Sequence, residues 1–156
     1  MNNIQNILLI GAIIAHYLLV GADAYAQASI IPIALSAPPA SLAMYQGEYV
    51  YNPARFWQIT NMVALAFLIS ALALNWRTSR RNLLLSTLIG TIVISIISLG
   101  YIFPEYTAIV SSTYSETIDP ALYDRGAAWQ TIALSRLLVF GCLGFLPLWA
   151  LTKPTS

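Results

Sequence analysis

Apolar residues in this chain run together in four blocks, at residues 4–31, 54–74, 82–103 and 127–151, with polar residues crowded into the connections between them. Crossing a hydrocarbon core of roughly 30 Å takes about 20 helical residues, so each block is long enough to be a membrane-spanning helix. The first block is apolar at least to Ala22 and is expected to continue helically to Ile31, where Pro32 is a natural stop. Pro104 is expected to close the third span, and Lys153-Pro154 the fourth. No fixed-period repeat or low-complexity tract interrupts the pattern, and residues 34–41 read as a turn-rich connector.

Composition supports the same picture. Of 156 residues, 58% are hydrophobic and 8% charged, against about 25% charged in a soluble domain. The mean hydropathy is +0.72. Few charges remain to coat a soluble surface, and the chain length fits a single domain, residues 1–156. A net charge of +1 gives no general attraction to nucleic acid, so no nucleic-acid partner is expected. The lone Cys142 has no partner for an intramolecular disulfide, and packing as a small hydrophobe is its expected role.

The charges set an orientation. The connection at 75–81 holds Arg77, Arg80 and Arg81 and no acid, and Lys153 falls on the same side. Asp23, Glu48, Glu105, Glu116, Asp119 and Asp124 fall on or near the other side. The excess of basic residues on cytoplasmic loops then places 75–81 and both termini inside. The expected fold is therefore all-α: an integral membrane four-helix bundle, N-in and C-in, with two long outer connections at 32–53 and 104–126. A bacterial plasma membrane is the default location, and a thylakoid or other internal membrane fits the same pattern. Trp57 and Trp76 bracket the second span, and Trp129 and Trp149 the fourth, as headgroup-level anchors do. The first block followed by Ala-Tyr-Ala-Gln-Ala also has the look of a cleaved leader, but residues 1–6 lack the Lys or Arg that a leader carries.

Ionisable and amide groups inside a membrane are expensive and default to bundle-facing sites. Here they recur at helical spacing: His16, Asp23 and Gln27 on the first span; Arg55, Gln58 and Asn61 on the second; Thr91, Ser95, Ser98 and Glu105 on the third; Arg125, Trp129 and Arg136 on the fourth. All four stripes are weighted toward the outer half. Arg136 lies about 13 Å deep at 1.5 Å per residue, and Asp23 and Glu105 are the acids within its expected reach. It is either half of a structural ion pair or a binder of an anion, enolate or quinone oxygen. His16 is either a hydrogen-bonded interior residue or a general base kept neutral by burial. A single histidine excludes bis-histidine haem, and His16, Asp23 and Glu105 lack a metal-site spacing, so neither a metal nor a cofactor is expected. Hydrolase, P-loop, CxxC, zincin and dinucleotide signatures are absent. No stripe runs polar from face to face, which disfavours a channel. Gly11, Gly21, Gly90 and Gly100 read as close-packing positions between helices.

The runs Gly21-Ala-Asp-Ala-Tyr, Ile30-Ile-Pro and Tyr45-Gln-Gly-Glu-Tyr resemble the first third of a small four-span membrane family of largely uncharacterised proteins that includes the fungal anthrone oxygenases. Phe56-Trp57, Asn75-Trp76 with Arg80-Arg81, and Trp129 with Arg136 extend the resemblance over nearly the whole chain. It implies a cofactor-independent, oxygenase-like reaction on a hydrophobic aromatic substrate. In that reading His16 is the base, Arg136 holds the phenolate, and Gln58 and Asn61 orient the ring. Asp23, Gln27, Ser98, Glu105 and Trp129 complete the candidate binding set. The alternatives are a non-enzymatic lipid, quinone or pigment binder, or an accessory subunit of a membrane complex. The sequence leaves the oligomeric state open.

Overall fold

The structure, a computed structural model, describes residues 3–155. Met1 and Asn2, which begin the segment weighed as a leader, lie outside the described residues. Helices α1 (Asn3–Tyr25), α2 (Ile31–Ala34), α3 (Ala54–Leu74), α4 (Arg81–Ile97), α5 (Phe103–Val110), α6 (Pro120–Leu143) and α7 (Phe145–Leu151) account for most of the chain, and no strand occurs among the described residues. They line up as four rods long and apolar enough to cross a membrane: span one Asn3–Ala34, span two Ala54–Leu74, span three Arg81–Val110 and span four Pro120–Leu151. The chain thus has the build of a multi-pass membrane protein with an all-α four-helix bundle.

Three spans are longer than expected, and two of the extensions share a cause. Pro32 and Pro104 do not end their helices. Each sits in the first turn of a new α-helical segment, just after a π-helical turn at Ala26–Ile30 or Ser98–Ile102. In an ordinary α-helix a proline ring collides with the carbonyl four residues back. Widening the preceding turn relieves that crowding: Ile31 N–H reaches back five residues to Ala26 O, and Phe103 N–H to Ser98 O. The inserted residue lets the helix continue but rotates everything beyond it. On span four, Asp119 caps the first turn by accepting from Ala121 and Leu122 N–H, which starts α6 at Pro120 rather than near Ala127.

Packing divides into two clusters. At the end carrying Arg77–Arg81, hereafter the basic end, Leu9, Ile13, Leu68, Leu72 and Leu84 form one core. At the opposite, acidic end, Ile31, Leu35, Leu42, Ile102, Ile109 and Leu122 form the other, with Trp129 inside it. The basic end is clasped by Arg80, buried at the turn between spans two and three. Its guanidinium donates to Asn6 Oδ1 at 2.6 Å and to Lys153 O at 2.9 Å. Gln5 donates to Leu74 O at 2.7 Å, and Ser79 to Pro154 O at 2.8 Å. Both terminal segments therefore meet the turn at one end.

Glycine marks some of the helix contacts. A side chain at Gly11 would meet Phe67 at 2.7 Å, and one at Gly90 would meet Leu143 at 2.8 Å. Gly21 and Gly100 have open space instead, so they are not packing positions. Gly126 against Leu35 and Gly144 against His16 are further close-packing positions, which the sequence pattern does not single out. Cys142 is also exposed on span four rather than packed inside.

Outward-facing side chains such as Ile14, Leu18, Met62, Ile96 and Leu138 leave the bundle surface apolar along its length. A soluble monomer rarely exposes such an area. Lipid is the environment that fits it.

A candidate binding cavity between the spans

Spans one and two pack closely along their length, whereas span two touches span three far less. The resulting gap, on the acidic side of mid-span, is a cavity of about 350 Å³ walled by all four spans. Its base is an ion pair. Arg136 from α6 donates to the Asp23 carboxylate of α1, and a second guanidinium nitrogen lies 3.4 Å from Ser98 Oγ. Both charged groups are largely shielded by their neighbours. An arginine this deep is tolerated because Asp23 answers its charge.

Aromatic rings make one wall. Trp129 is buried, stacks on Tyr106 with centroids 5.0 Å apart, and donates its indole N–H to Ile102 O at 2.9 Å. That carbonyl belongs to the π-helical turn before Pro104. Tyr45 stands edge-on to Tyr106 at 5.7 Å and lies 6.0 Å from Tyr51, roofing the acidic end. Tyr45 comes from a short 3₁₀ helix, Ala40–Tyr45, pinned where Gln46 donates to Ser112 O at 2.9 Å and Asp119 N–H to Pro38 O at 2.9 Å. Burial pushes the Tyr45 phenol above the usual tyrosine range, so it remains a neutral hydroxyl.

Several side chains that line this space carry a polar atom without a partner. Among the described residues, Gln27 Oε1, Tyr45 Oη, Thr91 Oγ1 and Arg136 Nε are buried and hydrogen-bonded to nothing, and all four side chains line the cavity. Gln27 is 6% exposed. A buried polar atom left unpaired costs about 1–3 kcal/mol, so four at one cavity are a conspicuous concentration. Gln58, Asn61 and Ser95 add polar groups on its open side, with Asn61 Nδ2 donating to Trp57 O at 2.8 Å.

Asp23, Gln27, Gln58, Asn61, Ser98, Trp129 and Arg136, proposed from the sequence, all line the cavity. His16 and Glu105 do not. His16 is seven residues from Asp23, about 10 Å along the axis, which carries it past the cavity floor. There its Nε2 pairs with Phe140 O at 2.9 Å and its ring packs on Phe140 at 4.3 Å, so Phe140 stands between it and the cavity. Glu105 lies beyond the π-helical turn of span three and pairs with Arg125, at 2.8 Å through Arg125 Nη2. The inserted residue breaks the simple seven-residue stripe from Ser98. Arg55 and Arg125 are likewise off the cavity wall.

Trp129 also departs from expectation as an anchor, since it is interior. Trp76 and Trp149 are the exposed pair, each beside a cation: Arg81 at 5.7 Å and Lys153 at 5.1 Å. Tyr45, Tyr51, Tyr106 and Phe140 are cavity residues that helical spacing does not reveal. For the first three the sequence carries one signal: Tyr45, Tyr49, Tyr51, Tyr106, Tyr114 and Tyr123, six of its nine tyrosines, fall in the two long connections.

Compared with protein-family profiles, curated proteins and solved structures, the chain finds no match. Its own geometry defines its class: a multi-pass helical membrane protein with an aromatic-walled cavity between its spans, based on an arginine–aspartate pair and open on one side.

Proposed function

We propose that this chain binds a hydrophobic small molecule with a flat, oxygen-bearing, uncharged head, of the quinone or phenol class, in the cavity between its spans. The observation that carries this reading is that four side chains with an unpartnered polar atom line one aromatic-walled space. With a small side-chain adjustment on binding, Arg136 Nε–H would offer a donor and Gln27 Oε1 an acceptor, while the Tyr45 and Thr91 hydroxyls would serve as either. Asp23 and Arg136 cancel in formal charge, which favours a neutral head over an anion or a cation. Tyr106 and Trp129 offer ring faces for stacking. Pockets of a few hundred Å³ with a few convergent polar groups are the common form of a ligand site.

Oxygenase-like catalysis on an aromatic substrate, which the family resemblance implies, is a second reading of the same cavity. It is favoured by the Asp23 carboxylate facing the space. With His16 behind Phe140, Asp23 would be the base that takes a proton from the activated ring carbon, and Arg136 would hold the phenolate oxygen.

The test is a titration of the protein in nanodiscs with a decyl-benzoquinone, read by quenching of Trp57 and Trp129. Saturable quenching is expected, weakened at least tenfold in Arg136→Gln and about threefold in Thr91→Val, which removes one hydroxyl and keeps the side-chain shape. Quenching that is non-saturable, or equal in all three proteins, contradicts the binding reading. Oxygen uptake with an anthrone, recorded in an oxygen electrode and lost in Asp23→Asn, would favour catalysis over simple binding.

A further inference from the structure

The polar side chains on the open side of the cavity stand where lipid would be. Asn61 lies fourteen residues before Asn75 and Ser95 fourteen after Arg81, so each is about 21 Å from the turn that joins their helices. That is the middle of a bilayer, and both residues are exposed on the bundle surface. Gln58 and Leu99, one turn further toward the acidic end on each helix, are exposed as well. All four also line the cavity. Polar side chains facing hydrocarbon are expensive, yet these are gathered at the edges of one opening. The opening exists because spans two and three, adjacent at their turn, pack against each other so little. At the acidic end, by contrast, Tyr45 and Tyr51 roof the cavity.

We infer that the gap between spans two and three is a lateral portal, through which the ligand passes directly between the bilayer and the cavity. The ligand is then an amphiphile. Its neutral, oxygen-bearing head sits at Arg136 and Gln27, and an apolar chain runs out past Asn61, Ser95 and Leu99 into lipid. Ser95 Oγ donates to Thr91 O and Asn61 Nδ2 to Trp57 O, both at 2.8 Å. This leaves the hydroxyl oxygen and the Asn61 amide oxygen as acceptors and the second amide N–H as a donor for the head on its way in, and Leu99 gives the chain an apolar surface. This inference rests on the binding reading above.

A decyl-benzoquinone bearing a diazirine midway along its chain tests it in nanodiscs. After photolysis, adducts are mapped by tandem mass spectrometry with and without excess decyl-benzoquinone as competitor. Competable adducts are expected on spans two and three, within a helical turn of Asn61, Ser95 or Leu99. Competable adducts confined to the acidic-end connections around Tyr49, Tyr51 and Tyr114 would overturn the portal and leave the binding reading standing. No competable adduct on any span or connection would overturn both. A benzoquinone without a chain supplies a second readout: it should compete at least tenfold less well than the decyl compound, and equal competition would show that the chain is not held in the portal.

Discussion

Arg136 is the residue on which the interior turns, because a guanidinium at this depth is tolerable only with its acid in place. Removing one partner of a buried pair typically costs about 3–5 kcal/mol, since the other charge is stranded. Arg136→Ala and Asp23→Asn should each lower the unfolding temperature in detergent by several degrees. The double variant should be no worse than the poorer single one, as expected for residues acting as a unit. Additive losses would show that the two side chains do not depend on each other. The Glu105–Arg125 pair is a contrast. Arg125 is half-exposed, exposed pairs are worth about 0–1 kcal/mol, and Glu105→Gln should barely move the melt. Gly144→Ala should be costly despite its small size, because the new methyl would meet the His16 ring at 2.7 Å and Tyr17 at 2.9 Å. Overpacking of this kind costs about 1–3 kcal/mol, readable in the same melt.

The elements show how far sequence reasoning reaches. Four apolar blocks give four spans because length and hydropathy are one-dimensional properties. Seven of the nine candidate site residues line one cavity: Asp23, Gln27, Ser98 and Arg136 because intramembrane polar groups default to the interior, Gln58 and Asn61 at its exposed rim, and Trp129 through its buried ring. His16 and Glu105 fall off the cavity for geometric reasons: one is two turns too deep, and the other lies past the π-helical turn that precedes Pro104 and rotates the helix beyond it. Pro32 and Pro104 suggest helix stops by sequence, whereas the widened turns before them let the helices run on. Tyr45 reaches the cavity only through the folding of a connection, which spacing rules do not describe. At the basic end, the turn between spans two and three is held by Arg80, whose donors reach Asn6 and the carbonyl of Lys153. Arg80→Ala should therefore speed amide hydrogen exchange at residues 150–155 and near Asn6 while leaving the acidic end unchanged. Uniform exchange across both ends would mean that the clasp is not local.

At the scale of the whole molecule, one end is a tight, basic clasp and the other a roofed, aromatic, acidic cap, with the cavity between them on the acidic side. Both termini meet at the basic end, so reporter fusions to each should report the same side of the membrane. From the distribution of Arg and Lys we propose that this side is cytoplasmic. A signal from the non-cytoplasmic side for either fusion would break the proposed topology. The central claim, that the cavity holds a neutral-headed hydrophobic molecule, is tested most directly by native mass spectrometry of the intact protein released from nanodiscs loaded with decyl-benzoquinone. One bound quinone per chain is expected for the wild type, with loss of that species in Arg136→Gln. A wild-type spectrum with no bound quinone, or equal binding in both proteins, would contradict it.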